Sequence, residues 1–314
     1  MKNIVCIISG PTASGKTDTS IKLCNRLKEA EIVNFDSLLF YKELNIGTAK
    51  PTIEEMGACP HHMIDIRSAK EPINAADYEK MALPIIQDIH SRDKAVILTG
   101  GSGFYLQALL YGMFESETVK PEIRERSNKL YTDQGIGPFL EILKENDHDS
   151  FKQYHENDHY RIRRAVEHWW TIGTKFSLER DRMMSQRETN SNFNKLGWNL
   201  FHIYLNPPKD EHFEIIQKRT NSMLESGLVN EVKDLLDNGF TGREKPLLSI
   251  GYKETSMFLQ GQLNEDELRE RINISTRQLA KAQRTWFKKV EKNEYNPLVD
   301  QEQIISDFEN FLNR

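Results

Sequence analysis

The sequence predicts an α/β protein: a parallel-sheet core carrying a phosphate-binding loop, interrupted by a mostly helical insertion domain. Three observations carry that expectation. An apolar run, Ile4–Ser9, leads straight into Gly10-Pro11-Thr12-Ala13-Ser14-Gly15-Lys16-Thr17 and then into a helical pattern. Further short apolar runs, at residues 31–35 and 95–99, alternate with amphipathic helical stretches, the signature of parallel strands joined by helices. From about residue 115 to 194 charged helical segments follow one another without a convincing strand, and strand character resumes only at 198–205. The core is therefore expected from residues 1–114 and 195–314, with 115–194 as the insertion.

The glycine loop sits where a phosphate cradle belongs, between a buried strand and a helix. Its glycines let consecutive backbone N–H groups converge, the helix N-terminus adds partial positive charge, and Lys16 adds a full one. Thr17 is placed to share a magnesium ion with the phosphates. A diphosphate or triphosphate is the expected ligand.

Composition bounds the rest. The chain has 314 residues, 38% hydrophobic and 28% charged, with a net charge of −5. That suits a core with a smaller second domain, and polyanion binding would have to come from local basic patches. No apolar run approaches the roughly 18 residues of a membrane span. The start reads as mature protein, because its apolar run ends in the phosphate loop. Cys6, Cys24 and Cys59 are odd in number and lack metal-ligand spacing, so a reducing, cytoplasmic setting without disulfides is expected.

In chain order, the helix after the loop is expected at residues 18–28, packing through Ile21, Leu23 and Leu27. The next strand, 31–35, ends at Asp36-Ser37. A carboxylate there is either a turn cap or a functional group, and the neighbouring phosphate loop favours function. His61 and His62 point in different directions along an extended chain and have no third ligand, so they read as non-metal. Residues 74–91 read as a helix despite Pro84. The strand Ala95–Thr99 opens onto Gly100-Gly101-Ser102-Gly103 and an apolar helix, 104–110. In the insertion, Arg161, Arg163 and Arg164 crowd one turn ahead of Trp169 and Trp170. A solvated helix face and an RNA-backbone contact both account for that cluster. After Pro207-Pro208 come helices to about 227 and at 229–236. The helix at 265–289 places Arg277, Lys281, Arg284 and Lys288 on one face, opposite an expected apolar stripe of Leu279, Ala282, Trp286 and Val290. Four like charges repel, which points to a polyanionic partner.

Taken together, these stretches resemble the tRNA dimethylallyltransferase (tRNA isopentenyltransferase) family. The likeness runs along nearly the whole chain. It includes the Gly10 to Thr17 loop, Asp36-Ser37 with Tyr41, Ile46-Gly47-Thr48-Ala49-Lys50-Pro51, His61-His62-Met63-Ile64-Asp65, Gly100-Gly101-Ser102-Gly103, residues 158–164, Ile250-Gly251-Tyr252-Lys253-Glu254 and residues 276–287. The resemblance implies a P-loop NTPase-like core and transfer of a dimethylallyl group from dimethylallyl diphosphate to N6 of the adenosine just 3′ of the tRNA anticodon, with Mg2+ as cofactor.

It also implies roles. Gly10, Pro11, Thr12, Ala13, Ser14, Gly15, Lys16 and Thr17 would bind the diphosphate, with Thr17 on the metal and Arg219 closing over the site. Asp36 would accept the N6 proton. Asp36, Ser37, Leu38, Leu39, Ser102, Arg124, Tyr160, Arg161, Ile162, Arg163 and Arg164 match positions that face tRNA, and Arg277, Lys281 and Arg284 extend that set. The insertion would grip the anticodon stem-loop, and the protein would act as a monomer. Two residues depart from the family's habit: Leu39 stands where glutamine is usual, Ser102 where threonine is. The zinc finger of the eukaryotic branch finds no counterpart after Asn293, so a bacterial-type protein is expected. A nucleotide kinase would share the phosphate loop, but it would leave the basic helix unexplained and expects a magnesium-holding carboxylate after Ala95–Thr99 that is absent.

Overall fold

A computed structural model describes residues 3–57, 59–112, 119–186, 189 and 191–313. Six strands make one all-parallel sheet: β1 (Ile4–Ser9), β2 (Ala30–Asn34), β3 (His61–His62), β4 (Ala95–Thr99), β5 (Asn199–Leu205) and β6 (Asn293–Tyr295). They lie in the order β3-β2-β4-β1-β5-β6, a P-loop NTPase-like core. Parallel strands covered on both faces read as continuous apolar runs, which is why β1 and β4 stand out in the sequence. Alternate residues serve opposite layers. Val5 and Ile7 join a core with Phe35, Phe40, Tyr78 and Leu98, whereas Ile4, Cys6 and Ile8 join another with Leu23, Ile32, Ile97 and Phe308.

Register decides what meets at the sheet's carboxyl edge. Ile8 and Asn34 both stand opposite Thr99. The residues that follow these three strands, the Gly10 loop, Asp36 and Gly100, therefore emerge side by side. Gly100 is required here. A Cβ on it would stand 2.7 Å from the Asp36 nitrogen and 2.6 Å from the Phe35 ring. The helix Ala75–Ser91 accommodates Pro84 without a break, capped by Asn74 through the N–H groups of Ala76 and Asp77.

The chain divides into two compact units, 1–112 with 192–314, and 113–191. The expected start of the insertion, residue 115, lies outside the described residues. The second unit packs five helices, Pro121–Gln134, Gly137–Asn146, His148–Gln153, His159–Ile172 and Phe176–Gln186. Its core is Phe139, Leu143, Ile162, Ala165 and Val166.

Three expectations need correction. Cys24 and Cys59 are joined as a disulfide, their Cα atoms 6.2 Å apart, because the helix Lys16–Leu27 and the segment entering β3 pack on the same side of the sheet; Cys6 is free and buried. A sixth strand and a last helix, Gln301–Leu312, follow the long helix Glu265–Phe287, where the sequence pattern predicts no further element. The long helix buries only part of the expected stripe: Trp286 and Val290 pack against the core as expected, but Leu279 and Ala282 do not. Leu268, Ile272, Ala280 and Phe287 face the core, while Leu279 is 40% exposed and Ala282 lies in solvent.

Candidate active site

The phosphate loop is built from backbone that few sequences tolerate. Gly10 has φ +154°, and a Cβ there would stand 2.4 Å from the Leu205 carbonyl oxygen. Ala13 and Gly15 are both left-handed, at φ +61° and +82°, and Gly15 caps the helix Lys16–Leu27. Alternating handedness turns successive N–H groups into one concavity, a nest for an anion. Ser14 Oγ is buried inside it with no partner, an orphan donor that a phosphate oxygen would satisfy. Lys16 Nζ donates to the carbonyls of Gly10 at 3.2 Å and Pro11 at 2.8 Å. Burial pushes its pKa down to about 8; the negative charge of Asp36 opposes that shift and nearby Arg219 adds to it.

Asp36 is both a turn residue and a half-buried group that lines a cavity. Asn34 brackets it, accepting from the Asp36 N–H at 2.9 Å and donating to the Asp36 carbonyl at 3.0 Å. Carboxylate oxygen Oδ1 accepts from the Leu38 N–H at 3.2 Å, which sets the side chain's direction. Ser37 and Ser102 meet across the gap between strand ends: the Ser37 N–H donates to Ser102 Oγ at 3.2 Å, and their hydroxyls are 3.3 Å apart. Arg219 comes from the helix Lys209–Glu225 and donates to the Thr48 carbonyl at 3.2 Å. Burial lowers its pKa, and Asp36 pulls the other way.

These groups surround two adjoining cavities. One, of about 420 Å³, is lined by Thr12–Thr17, Asp36, Thr48 and Arg219. The other, of about 210 Å³, shares Thr12, Asp36, Thr48 and Arg219 but is walled by Ile216, Met223, Ile250, Ile272 and Leu279. An anion cradle thus opens into an apolar chamber across one carboxylate and one guanidinium. A roomier depression of about 500 Å³ lies elsewhere against Glu43, Glu231 and Phe240. Its acidic lining would repel a phosphate, whereas the first pair adjoins the glycine loop and Lys16. Among the described residues no group of three or more His, Cys, Asp or Glu side chains is arranged to hold a metal. His61 and His62 bond instead to the Cys59 carbonyl and to Glu31. The oxygen donors at the loop, the Thr17 hydroxyl and Asp36, suit an ion that takes most of its ligands from phosphates and water.

Comparison with known proteins gives this geometry a family. A profile described as IPP transferase matches residues 39–290. The chain belongs to the IPP transferase family. The tRNA dimethylallyltransferase 2 of Geotalea daltonii is 38% identical over 282 residues, covering 90% of this chain and 84% of that protein. The tRNA dimethylallyltransferase of Alkaliphilus metalliredigens is 35% identical over 320 residues and covers 99% of its own length. Among solved structures, the tRNA isopentenylpyrophosphate transferase of Staphylococcus epidermidis superposes with a TM-score of 0.71 at 31% identity, covering 99% of both chains. A eukaryotic dimethylallyltransferase acting on tRNA gives 0.82 at 25% identity, covering all of this chain and 80% of that one.

Within this IPP transferase, the residues assigned to tRNA fall into distinct environments. Ser37, Leu38, Leu39 and Ser102 are half-buried at the active site. In the helical unit Arg124 and Tyr160 are exposed, Tyr160 by 75%. Arg161 is exposed and pairs with Asp158 at 3.2 Å. Ile162, by contrast, is fully buried in the unit's core, so any contact here falls to its neighbours. Arg163 lies 4.6 Å over the Tyr131 ring and donates to Ser127 and Asn128, while Arg164 pairs with Glu167 at 2.8 Å. On the long helix, Lys281 and Lys288 are exposed, Arg277 lies over the Phe213 ring and against Glu270, and Arg284 turns inward. Sequence reasoning missed His212 and Gln283, which touch the phosphate loop from helices far along the chain. Gln283 falls within the 276–287 stretch that carries the family likeness but has no role assigned there, and none of the stretches carrying that likeness contains His212. Among the described residues no helix is long and apolar enough to cross a membrane.

Proposed function

We propose that this protein transfers a dimethylallyl group from dimethylallyl diphosphate to N6 of the adenosine 3′ of the anticodon in tRNA, position 37, releasing diphosphate. The observation that carries the reading is the junction of the two cavities at Asp36 and Arg219, beside the loop and its Lys16. A substrate with a charged diphosphate and a short apolar tail fits a cradle that opens into an apolar chamber. An allylic carbon ionises readily when its leaving group is stabilised, so most of the barrier reduction is electrostatic. The loop N–H groups, Ser14, Lys16 and Arg219 stabilise the departing diphosphate. Thr17 would hold a magnesium ion, which would supply further charge neutralisation. Asp36, oriented by Leu38, takes the proton from N6 as the new carbon–nitrogen bond forms. An adenine must leave its stack to reach this depth, as with other enzymes that act on bases. The exposed Arg124, Tyr160 and Arg161 of the helical unit, with Lys281, are the side chains available to hold the stem-loop. The protein would act in the cytoplasm as a monomer.

The test is incubation with labelled dimethylallyl diphosphate and bulk tRNA, with AMP and ATP as competing substrates. Label entering tRNA supports the reading. Label entering AMP alone, or ATP hydrolysis without prenyl transfer, refutes it.

A further inference from the structure

The Thr12 peptide at the tip of the phosphate loop is gripped on both of its polar groups by side chains from distant helices. Its N–H donates to Gln283 Oε1 at 2.7 Å, and Gln283 Nε2 donates onward to the Gly101 carbonyl at 3.0 Å. Its carbonyl lies 2.8 Å from His212 Nε2. His212 itself is 2% exposed, in the first turn of the helix Lys209–Glu225. Its other nitrogen, Nδ1, lies 2.9 Å from the Arg284 guanidinium. Arg284 is anchored to Asn206 Oδ1 at 2.8 Å and to the Pro207 carbonyl at 3.0 Å.

A guanidinium only donates, so Nδ1 must accept, and the ring's single proton is left on Nε2, where it donates to Thr12. We propose that His212 is a positioning residue for the diphosphate: neutral and held in one tautomer by Arg284, it fixes the Thr12 peptide in the conformation that presents the loop's N–H groups to phosphate. Arg284, one of the cations assigned to tRNA by position on its helix, thereby belongs to the support of the phosphate loop. The proposal deepens the transferase reading and rests on it for the identity of the substrate.

Protonation would break the arrangement. A proton on Nδ1 would confront Arg284 donor to donor and cation to cation. Burial is the main cause that holds its pKa below the usual histidine value; the hydrogen bond to the Thr12 carbonyl opposes it, and the charged groups facing the ring, Arg284 from the long helix and Lys16 from the loop, are both positive and add to the lowering. The grip is therefore intact above about pH 6.5 and is lost as pH falls through the lowered value.

Calorimetric titration with inorganic diphosphate, from pH 8 down to the lowest pH at which all three proteins stay folded, tests this in wild type, His212→Gln and His212→Leu, alongside the kcat and KM for dimethylallyl diphosphate. Glutamine can accept from Arg284 and donate to Thr12 but cannot titrate. It is expected to bind like wild type at pH 8 and to weaken less than wild type towards the acid end, where ligand protonation affects all three equally. Leucine leaves two buried polar groups unpaired and is expected to weaken binding about 10-fold at pH 8 already, raising KM more than it lowers kcat. Equal acid weakening in wild type and His212→Gln, or diphosphate affinity unchanged in His212→Leu with only a lower Tm, overturns the proposal. Histidine-dependent diphosphate binding without prenyl transfer would sustain it while refuting the transferase reading.

Discussion

Lys16 offers a sharp quantitative test, because its environment makes substrate affinity depend on pH in a calculable way. Its ammonium is desolvated and donates to two backbone carbonyls, and its pKa is about 8 rather than 10.5. A bound diphosphate adds two or more negative charges against the same nitrogen and holds the proton on. Only the protonated form is competent to bind, so the apparent dissociation constant rises by the inverse of the protonated fraction. That factor is about 1.1 at pH 7, about 2 at pH 8 and about 11 at pH 9. The sign is fixed: affinity is nearly full at pH 7 and below, is halved at about pH 8, and declines by up to tenfold per unit above that. The substrate contributes no slope there, since phosphate ionisation is complete by about pH 7. The assay is kcat/KM for dimethylallyl diphosphate from pH 7 to 9.5, with tRNA saturating. Lys16→Arg, which cannot lose its proton in this range, is expected to be weaker at pH 7 but flat to pH 9. A flat wild-type profile, or an equal decline in Lys16→Arg, would show that Lys16 does not titrate against the diphosphate.

Other perturbations separate the roles of the remaining residues. Asp36→Asn is expected to lower kcat by about 10² to 10⁴-fold, the usual worth of general base catalysis, with tRNA affinity retained; near-normal turnover would remove Asp36 from proton transfer. Gly100→Ala should cripple the protein without touching substrate, since its Cβ would collide with the Asp36 nitrogen and the Phe35 ring. A fully active Gly100→Ala with unchanged Tm would contradict that geometry. Lys281→Ala should flatten the salt dependence of tRNA binding by about 0.7 to 0.9 log units, the slope of one phosphate contact, which a filter-binding series over salt concentration would measure. Leu39→Gln should change the ranking of stem-loops varied around the target adenosine without changing the chemistry, because glutamine can hydrogen-bond a base edge and leucine cannot. Identical rankings would mean that Leu39 is packing alone.

The sequence by itself determined the parts whose physics is local. The limits of β1 and β4 were legible because strands buried on both faces must be continuously apolar, and the phosphate loop because only glycine meets its backbone demands at Gly10 and Gly15. Asp36 was legible as a strand-end carboxylate, although nothing local decided between a cap and a base; in the structure it is a half-buried group whose Oδ1 caps Leu38 while the residue lines both cavities. What the tertiary structure decided were relations across long stretches of chain. The sheet order, and a register that sets Ile8 and Asn34 against Thr99, brought three loops to one edge. β6 is a strand only because β5 offers it hydrogen bonds, as its residues Asn293 and Glu294 are polar and exposed. Helical spacing shows which residues share a face but not where the core's edge will fall along it, so Trp286 and Val290 pack as the spacing predicts while Leu279 and Ala282 stay exposed, and Arg284 turns inward from the solvent-facing cations. Its partner His212 is 72 residues away, and Gln283 is 271 residues from Thr12. No periodicity reports contacts of that kind, because they exist only once the helices have packed against the sheet's carboxyl edge.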